Sequence, residues 1–140
     1  MLFRSSLLLE EFLARELKAG RLDALQQRLS TINQPILVHG HCHQKAFGLV
    51  PEVLEVVRMV PGATPRLIET SCCGMAGSFG YEREHAEVSM QMAELSLLPA
   101  LRSSPDALIV ADGTSCRHQI HDGSQRHAIH VASLLARQLK

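Results

Sequence analysis

A chain of 140 residues, 46% of them hydrophobic, is long enough to bury one core without disulfide staples, and one compact domain is the expectation. Fourteen Lys and Arg balance fourteen Asp and Glu, neither sign forms a long block, and one Tyr with no Trp leaves nothing that marks a nucleic-acid partner. The apolar start from Met1 to Leu9 runs at once into Glu10, Glu11, Arg15 and Glu16 with no small-residue cleavage site, so it reads as neither a signal peptide nor a membrane span.

Taken in order, Leu9, Phe12, Leu13 and Leu17 stand at helical spacing and predict an amphipathic helix over residues 2–18, stopped by Gly20. A second short helix fits Arg21 to Leu29, so residues 1–33 form a helical lead-in. Pro35 to His43 is an apolar run that turns polar, as expected of a buried parallel strand that delivers residues to its C-terminal end. A helix follows near Pro51 with Val50, Val53, Leu54 and Val57 as its core stripe, and it ends before Pro61-Gly62. Arg66 to Thr70 is the second predicted strand and leads directly into Cys72-Cys73.

After a glycine-rich turn the longest helix is expected, with Glu82 and Glu84 in its first turns and Ala86, Met90, Ala93 and Leu97 as a buried stripe weakened at Pro99. Ala107 to Ala111 reads as a third strand, Asp112 to Cys116 as the loop after it and Arg126 to His130 as a short fourth strand. Val131, Leu134, Leu135 and Leu139 form a closing helix. The alternation predicts an α/β fold of three layers, a mostly parallel sheet of about four strands flanked by helices.

All four cysteines then fall at the C-terminal edge of that sheet, where such folds place their ligands. Cys72 and Cys73 are adjacent, so they serve one site only if the backbone turns sharply there, and Gly74 permits that turn. In a chain that is not exported, four thiols read better as metal ligands or redox groups than as structural bridges. Soft thiolates select zinc or an iron–sulfur cluster, and the sequence leaves the two open. Cys42, Cys72, Cys73 and Cys116 are the candidate ligands, with Gly74, Gly77 and Ser78 as a cradle of inward N–H groups.

His39, His41 and His43 alternate and in an extended chain share a face opposite Cys42, where any of them could ligate or support a thiolate; His118, close behind Cys116, is the stronger candidate. Lys45 and Arg117 flank the thiols and could offset cluster charge, whereas His85, His121, His127 and His130 read as surface residues. Met75 to Gly80 lacks the spacing of a dinucleotide loop, and neither Ser78 nor Ser115 stands in a nucleophile elbow. A thiol-redox protein cycling a Cys72–Cys73 vicinal disulfide ranks lower, because no Cys-x-x-Cys is present.

The segments His39 to Ala46, Cys72 to Glu82 and Gly113 to Arg117 together resemble the cysteine-rich CCG domain of iron–sulfur oxidoreductases. That family includes a cysteine-rich component of heterodisulfide reductase and the iron–sulfur subunits of glycolate oxidase and anaerobic glycerol-3-phosphate dehydrogenase. The version most similar stands at the C-terminal end of large FAD-linked oxidases and dehydrogenases of D-2-hydroxy acids of the D-lactate type. The resemblance implies that residues 1–140 are a C-terminal piece of a larger oxidoreductase and bind an iron–sulfur cluster of the 4Fe-4S type, or zinc. It also implies FAD and ferredoxin-like clusters in domains outside this chain, as partners in the same polypeptide or complex. In the family's fullest pattern the third motif is Cys-x-x-Cys, whereas here Gln119 takes the second cysteine's place and one copy of the pattern is present in place of two.

The expected role is electron transfer in a flavin-linked dehydrogenase of D-lactate or a related 2-hydroxy acid, with no turnover from this domain alone. The location expected is cytoplasmic, or at the inner face of the membrane through the parent complex, and a homo-oligomer is left open. The alternative is a non-catalytic zinc domain that docks on a partner protein through the N-terminal helix.

Overall fold

The computed structural model describes residues 6–140 and places four parallel strands in one sheet, β1 (Ile36–His39), β2 (Pro65–Leu67), β3 (Leu108–Ala111) and β4 (Ala128–Ile129), in the order β2-β1-β3-β4. Every residue of β1 is buried, which is why the run Ile-Leu-Val-His shows no polar alternation. Alternation instead sorts side chains between two cores. Ile36 and Val38 join one cluster, with Val110 from β3, while Leu37 joins the other with Ile109 and Ala111.

The first core is closed by α1 (Leu9–Lys18), α4 (Val50–Arg58) and α8 (Val131–Gln138), and the second by α5 (Ala86–Glu94), α6 (Leu97–Arg102) and α7 (Thr114–Ser124). These are the three layers that the alternation predicts. Short α2 (Asp23–Gln27) and α3 (Cys42–Ala46) complete the element order. Cys73 and Cys116 belong to the second core, on the sheet face shared with Leu37.

Several boundaries differ from the sequence expectation for identifiable reasons. Helix α1 begins at Leu9; of the span predicted ahead of it, residues 2–5 lie outside the described residues. Strand β1 stops at His39 because His41 caps a new helix: its Nδ1 accepts from the His43 N–H (3.3 Å), while Gln44 Oε1 accepts from the His41 N–H (2.9 Å). Cys42 is therefore the first residue of a helix, not part of an extended run.

The segment after the glycine turn is not the longest helix. Phe79 to Tyr81 form a single 3-10 turn and Glu82 to His85 a bend and turn, with a Glu82–His85 contact (2.8 Å) and a Phe79–His85 ring stack, and α5 starts only at Ala86. Ala86 itself is exposed, and Ser89 and Ala93 are the buried positions of α5. The chain breaks at Ser96 so that Pro99 falls in the first turn of α6, where its missing N–H costs little. The longest described helix is α7, with 11 residues. No described helix is long and apolar enough to cross a membrane.

On the first face, Glu10 of α1 is 4% exposed. It sits against Asp112, whose carboxylate accepts from Gln44 Nε2 (2.6 Å) and from the Val131 N–H (2.8 Å). Burial, with Asp112 beside it, raises the Glu10 carboxyl to about 7.

Candidate metal centre

Three crossovers bring the thiols to one edge. Cys42 follows β1, Cys72-Cys73 follow β2 and Cys116 follows β3, so Cys42 and Cys116 stand on either side of the β1–β3 junction, where the strand order reverses. Together the four line a cavity of about 290 Å³ with His41, His43, Ala76, Gly77 and Ser115. The sulfurs form two pairs: Cys42 Sγ to Cys72 Sγ is 3.7 Å and Cys73 Sγ to Cys116 Sγ is 3.3 Å.

The loop after β2 is built to present both members of the adjacent pair. Ile68 extends the strand pairing through its N–H to the Val38 carbonyl (2.8 Å), after which Lys45 Nζ gathers the Thr70 carbonyl, Thr70 Oγ1 and the Ser71 carbonyl. Gly74 then turns the chain at φ +95°, and its N–H donates to Cys72 Sγ (3.3 Å). From beneath, buried Gln119 of α7 donates to the Cys73 carbonyl (3.0 Å) and the Ser89 carbonyl (2.9 Å). Gln119 stands where the resemblance leads one to expect a further cysteine, and it braces the loop in place of ligating.

Lys45 is thus a clamp and not a free cation. Lys45→Met is expected to cost about 1–3 kcal/mol in urea denaturation, since three acceptors lose a charged donor, and to speed amide exchange selectively at Ser71 to Cys73. Arg117 likewise ties the β3–α7 loop, donating to the Ala111 carbonyl (3.0 Å) and the Asp112 carbonyl (2.6 Å).

The thiols differ sharply in electrostatic state. Cys73 is held down to about 4, first by the Cys116 thiol donating to it, then by His39 and the Met75 N–H. Cys116 is pushed up because it is the donor to that thiolate and is buried beside it. Cys42 is raised by burial and by Cys72. A buried pair with one member held toward the thiolate and the other toward the thiol suits a soft cation, whose binding displaces the remaining proton.

Of the candidate site residues singled out in the sequence, the four cysteines, Gly77, His41 and His43 reach the cavity. Gly74 supports it from behind, where a Cβ would lie 2.1 Å from the Ser89 carbonyl oxygen. Ser78 is exposed and is not on the cavity wall. His118 points elsewhere: it is exposed and its Nδ1 meets the Tyr81 hydroxyl at 2.5 Å.

The histidine brought to the sulfurs is His39, 1% exposed, with a ring nitrogen, Cys73 Sγ and Cys116 Sγ all within 4.8 Å of one another. Its signal in the sequence is parity: His39 stands two residues from Leu37 and so shares the sheet face of Cys73 and Cys116. His41 is also at the wall, packed over Gly113, where a Cβ would come within 2.2 Å of His41 Cδ2 and 2.9 Å of Cys116 Sγ. Two thiol pairs, a buried imidazole whose Nε2 has no nitrogen or oxygen partner among the described residues and a glycine cradle fit a soft metal ion or cluster.

Comparison with known proteins gives relatives in two groups. Over 104 residues, 74% of this chain, it is 30% identical to a subunit of the anaerobic glycerol-3-phosphate dehydrogenase of Escherichia coli (strain K12), of which the match covers 26%. It is 41% identical over 100 residues to D-2-hydroxyglutarate dehydrogenase of Pantoea ananatis (69% of this chain, 10% of the relative), and 32% identical over 110 residues to the Escherichia coli (strain K12) protein of that name (77% and 11%). No family model and no solved structure matches. The chain spans about a quarter of one relative and about a tenth of the others, and it is similar to a portion of dehydrogenases and their subunits.

Proposed function

We propose that this chain is the metal-binding electron-transfer module of a flavin-linked dehydrogenase that acts on D-lactate or a related 2-hydroxy acid, with an iron–sulfur cluster of the 4Fe-4S type held by Cys42, Cys72, Cys73 and Cys116. The observation that carries the reading is the convergence on one cavity of four thiols from three separate segments, each following a strand of the sheet. Relatives named for a 2-hydroxy acid and for glycerol 3-phosphate support the oxidoreductase class.

A tetrahedral zinc site with Zn–S of about 2.3 Å spaces its four sulfurs about 3.8 Å apart along every edge. One edge of that length occurs here, Cys42 to Cys72 at 3.7 Å, Cys73 to Cys116 is shorter at 3.3 Å, and no three of the four sulfurs gather within 4.8 Å among the described residues. When bound, a cluster supplies a one-electron carrier at the rim of the fold, and the flavin chemistry belongs to another domain. The chain's own residues do the rest: Cys73 offers the ready thiolate, Lys45 and Gln119 fix the loop, and the Gly74 N–H donates to Cys72 sulfur.

The test is anaerobic reconstitution of the full chain with iron and sulfide. Bound iron and sulfide are expected, with broad visible absorbance bleached by dithionite, and Cys73→Ser and Cys116→Ser are expected to lose both. Zinc with a colourless, redox-silent protein would instead favour the structural docking domain. Four titratable thiols with neither metal would overturn both readings.

A further inference from the structure

Buried polar atoms in folded proteins are almost always paired, and an orphan costs about 1–3 kcal/mol, so an orphan inside a ligand cavity calls for a partner. His39 Nε2 is such an atom: on a side chain 1% exposed it has no nitrogen or oxygen partner among the described residues, and the imidazole faces the sulfurs of Cys73 and Cys116. The other ring nitrogen, Nδ1, is engaged 3.2 Å from Thr70 Oγ1. Of the two, Nε2 is the one left for the sulfurs of Cys73 and Cys116.

We propose that His39 Nε2 is a nitrogen ligand of the metal centre, completing with Cys73 and Cys116 a mixed sulfur–nitrogen set beside the Cys42–Cys72 pair. The inference rests on the reading that the site holds a metal. Thr70 is placed to accept from the tautomer that ligation requires. Its Oγ1 already accepts from Lys45 Nζ (3.2 Å) and has a second lone pair for a proton on His39 Nδ1, which leaves the Nε2 lone pair directed at the metal. Gln119 is occupied with the Cys73 and Ser89 carbonyls, so the place that lacks a thiolate offers no ligand, and the nitrogen enters from the end of β1. A histidine in place of a thiolate raises the reduction potential of an iron–sulfur centre, because a neutral ligand opposes the added electron less than an anionic one does.

The experiment uses the full chain labelled with 15N-histidine, reconstituted anaerobically with iron and sulfide and reduced with dithionite, and reads nitrogen coupling by pulsed EPR. A strong imidazole coupling is expected in the wild type. It should be lost in His39→Ala and retained in His118→Ala and His43→Ala, and His39→Cys should lower the potential with iron still bound. A reconstituted wild-type cluster without strong nitrogen coupling overturns the ligand assignment whether or not the variants fold. So does coupling that survives His39→Ala or vanishes in His118→Ala. If the chain takes only zinc, X-ray absorption at the zinc edge must show nitrogen among the sulfur ligands, lost in His39→Ala, and an all-sulfur shell overturns the proposal. Neither metal binding at all defeats the metal reading itself, an outcome distinct from a loaded site without nitrogen.

Discussion

Gly74→Ala is expected to be among the most damaging single-methyl additions in the chain. At φ +95° an L side chain is already strained, and the new Cβ would sit 2.1 Å from the backbone oxygen of Ser89, an atom that cannot swing aside. Relief requires moving either α5 or the Cys72–Cys73 loop, and the loop is also pinned by Gln119. The cost should reach about 4 kcal/mol or more, a fall in Tm of roughly 12–20 °C for a chain of this size. The same substitution at Gly77, φ +70° with nothing within 4 Å of its Cβ, should cost only about 1–2 kcal/mol. Thermal unfolding of the two variants side by side checks the account, and equal losses would show that backbone angle alone, not the Ser89 contact, sets the cost.

Glu10→Gln should make stability nearly independent of pH across the range where the wild type loses it. The folded-state carboxyl is raised from 4.5 to about 7, chiefly by burial and then by Asp112, against the pull of its own backbone hydrogen bond. Because the folded chain holds this proton more tightly than the unfolded chain, the associated stability is fully present below about pH 4.5. It is lost as pH rises through about 7. The loss by pH 8–9 is on the order of 3 kcal/mol.

The neighbours fix this sign. Both oxygens of Asp112 accept N–H groups, from Gln44 and Val131, and the carboxylate lies beside Glu10. His130 Nδ1 accepts from the Ala132 N–H, which puts the ring proton on Nε2, 3.8 Å from Glu10 Oε1. A neutral glutamine keeps the shape without the charge. Urea denaturation at pH 5 and pH 8.5 should find the variant close to wild type at the lower pH and more stable by about 2–3 kcal/mol at the higher one. A difference that does not change with pH would remove Glu10 as the titrating group.

These expectations mark where local and long-range information part. The strand runs at Leu37 and Ile109 were legible because continuous apolar runs bounded by Pro, Gly and Asp have few other fates, whereas β2 is only Pro65–Leu67 with Arg66 exposed at its centre. The early start assigned to the helix after the glycine turn was misleading: Glu82 and Glu84 suit a first turn, but they lie in a bend and turn, where Glu82 meets His85 and Phe79 stacks on the same ring. His118 drew attention by standing close to Cys116 in sequence, yet α7 directs it outward to Tyr81. In the sequence His39 is one of three alternating histidines, which an extended strand through Cys42 would leave equivalent. The cap at His41 ends it sooner.

What the linear order of residues determined is the βα alternation and, with it, the delivery of every cysteine to the same edge, because parallel strands with right-handed crossovers leave all their carboxyl ends on one side. Only the tertiary structure decided which sulfur faces which, that Gln119 braces where a thiolate was expected, and that His39 is the imidazole beside Cys73. Those choices depend on a left-handed turn at Gly74 and on helix starts at Cys42 and Thr114, and the rotation such turns impose on a side chain is set by contacts with Ser89, Lys45 and Gly113 far away along the chain.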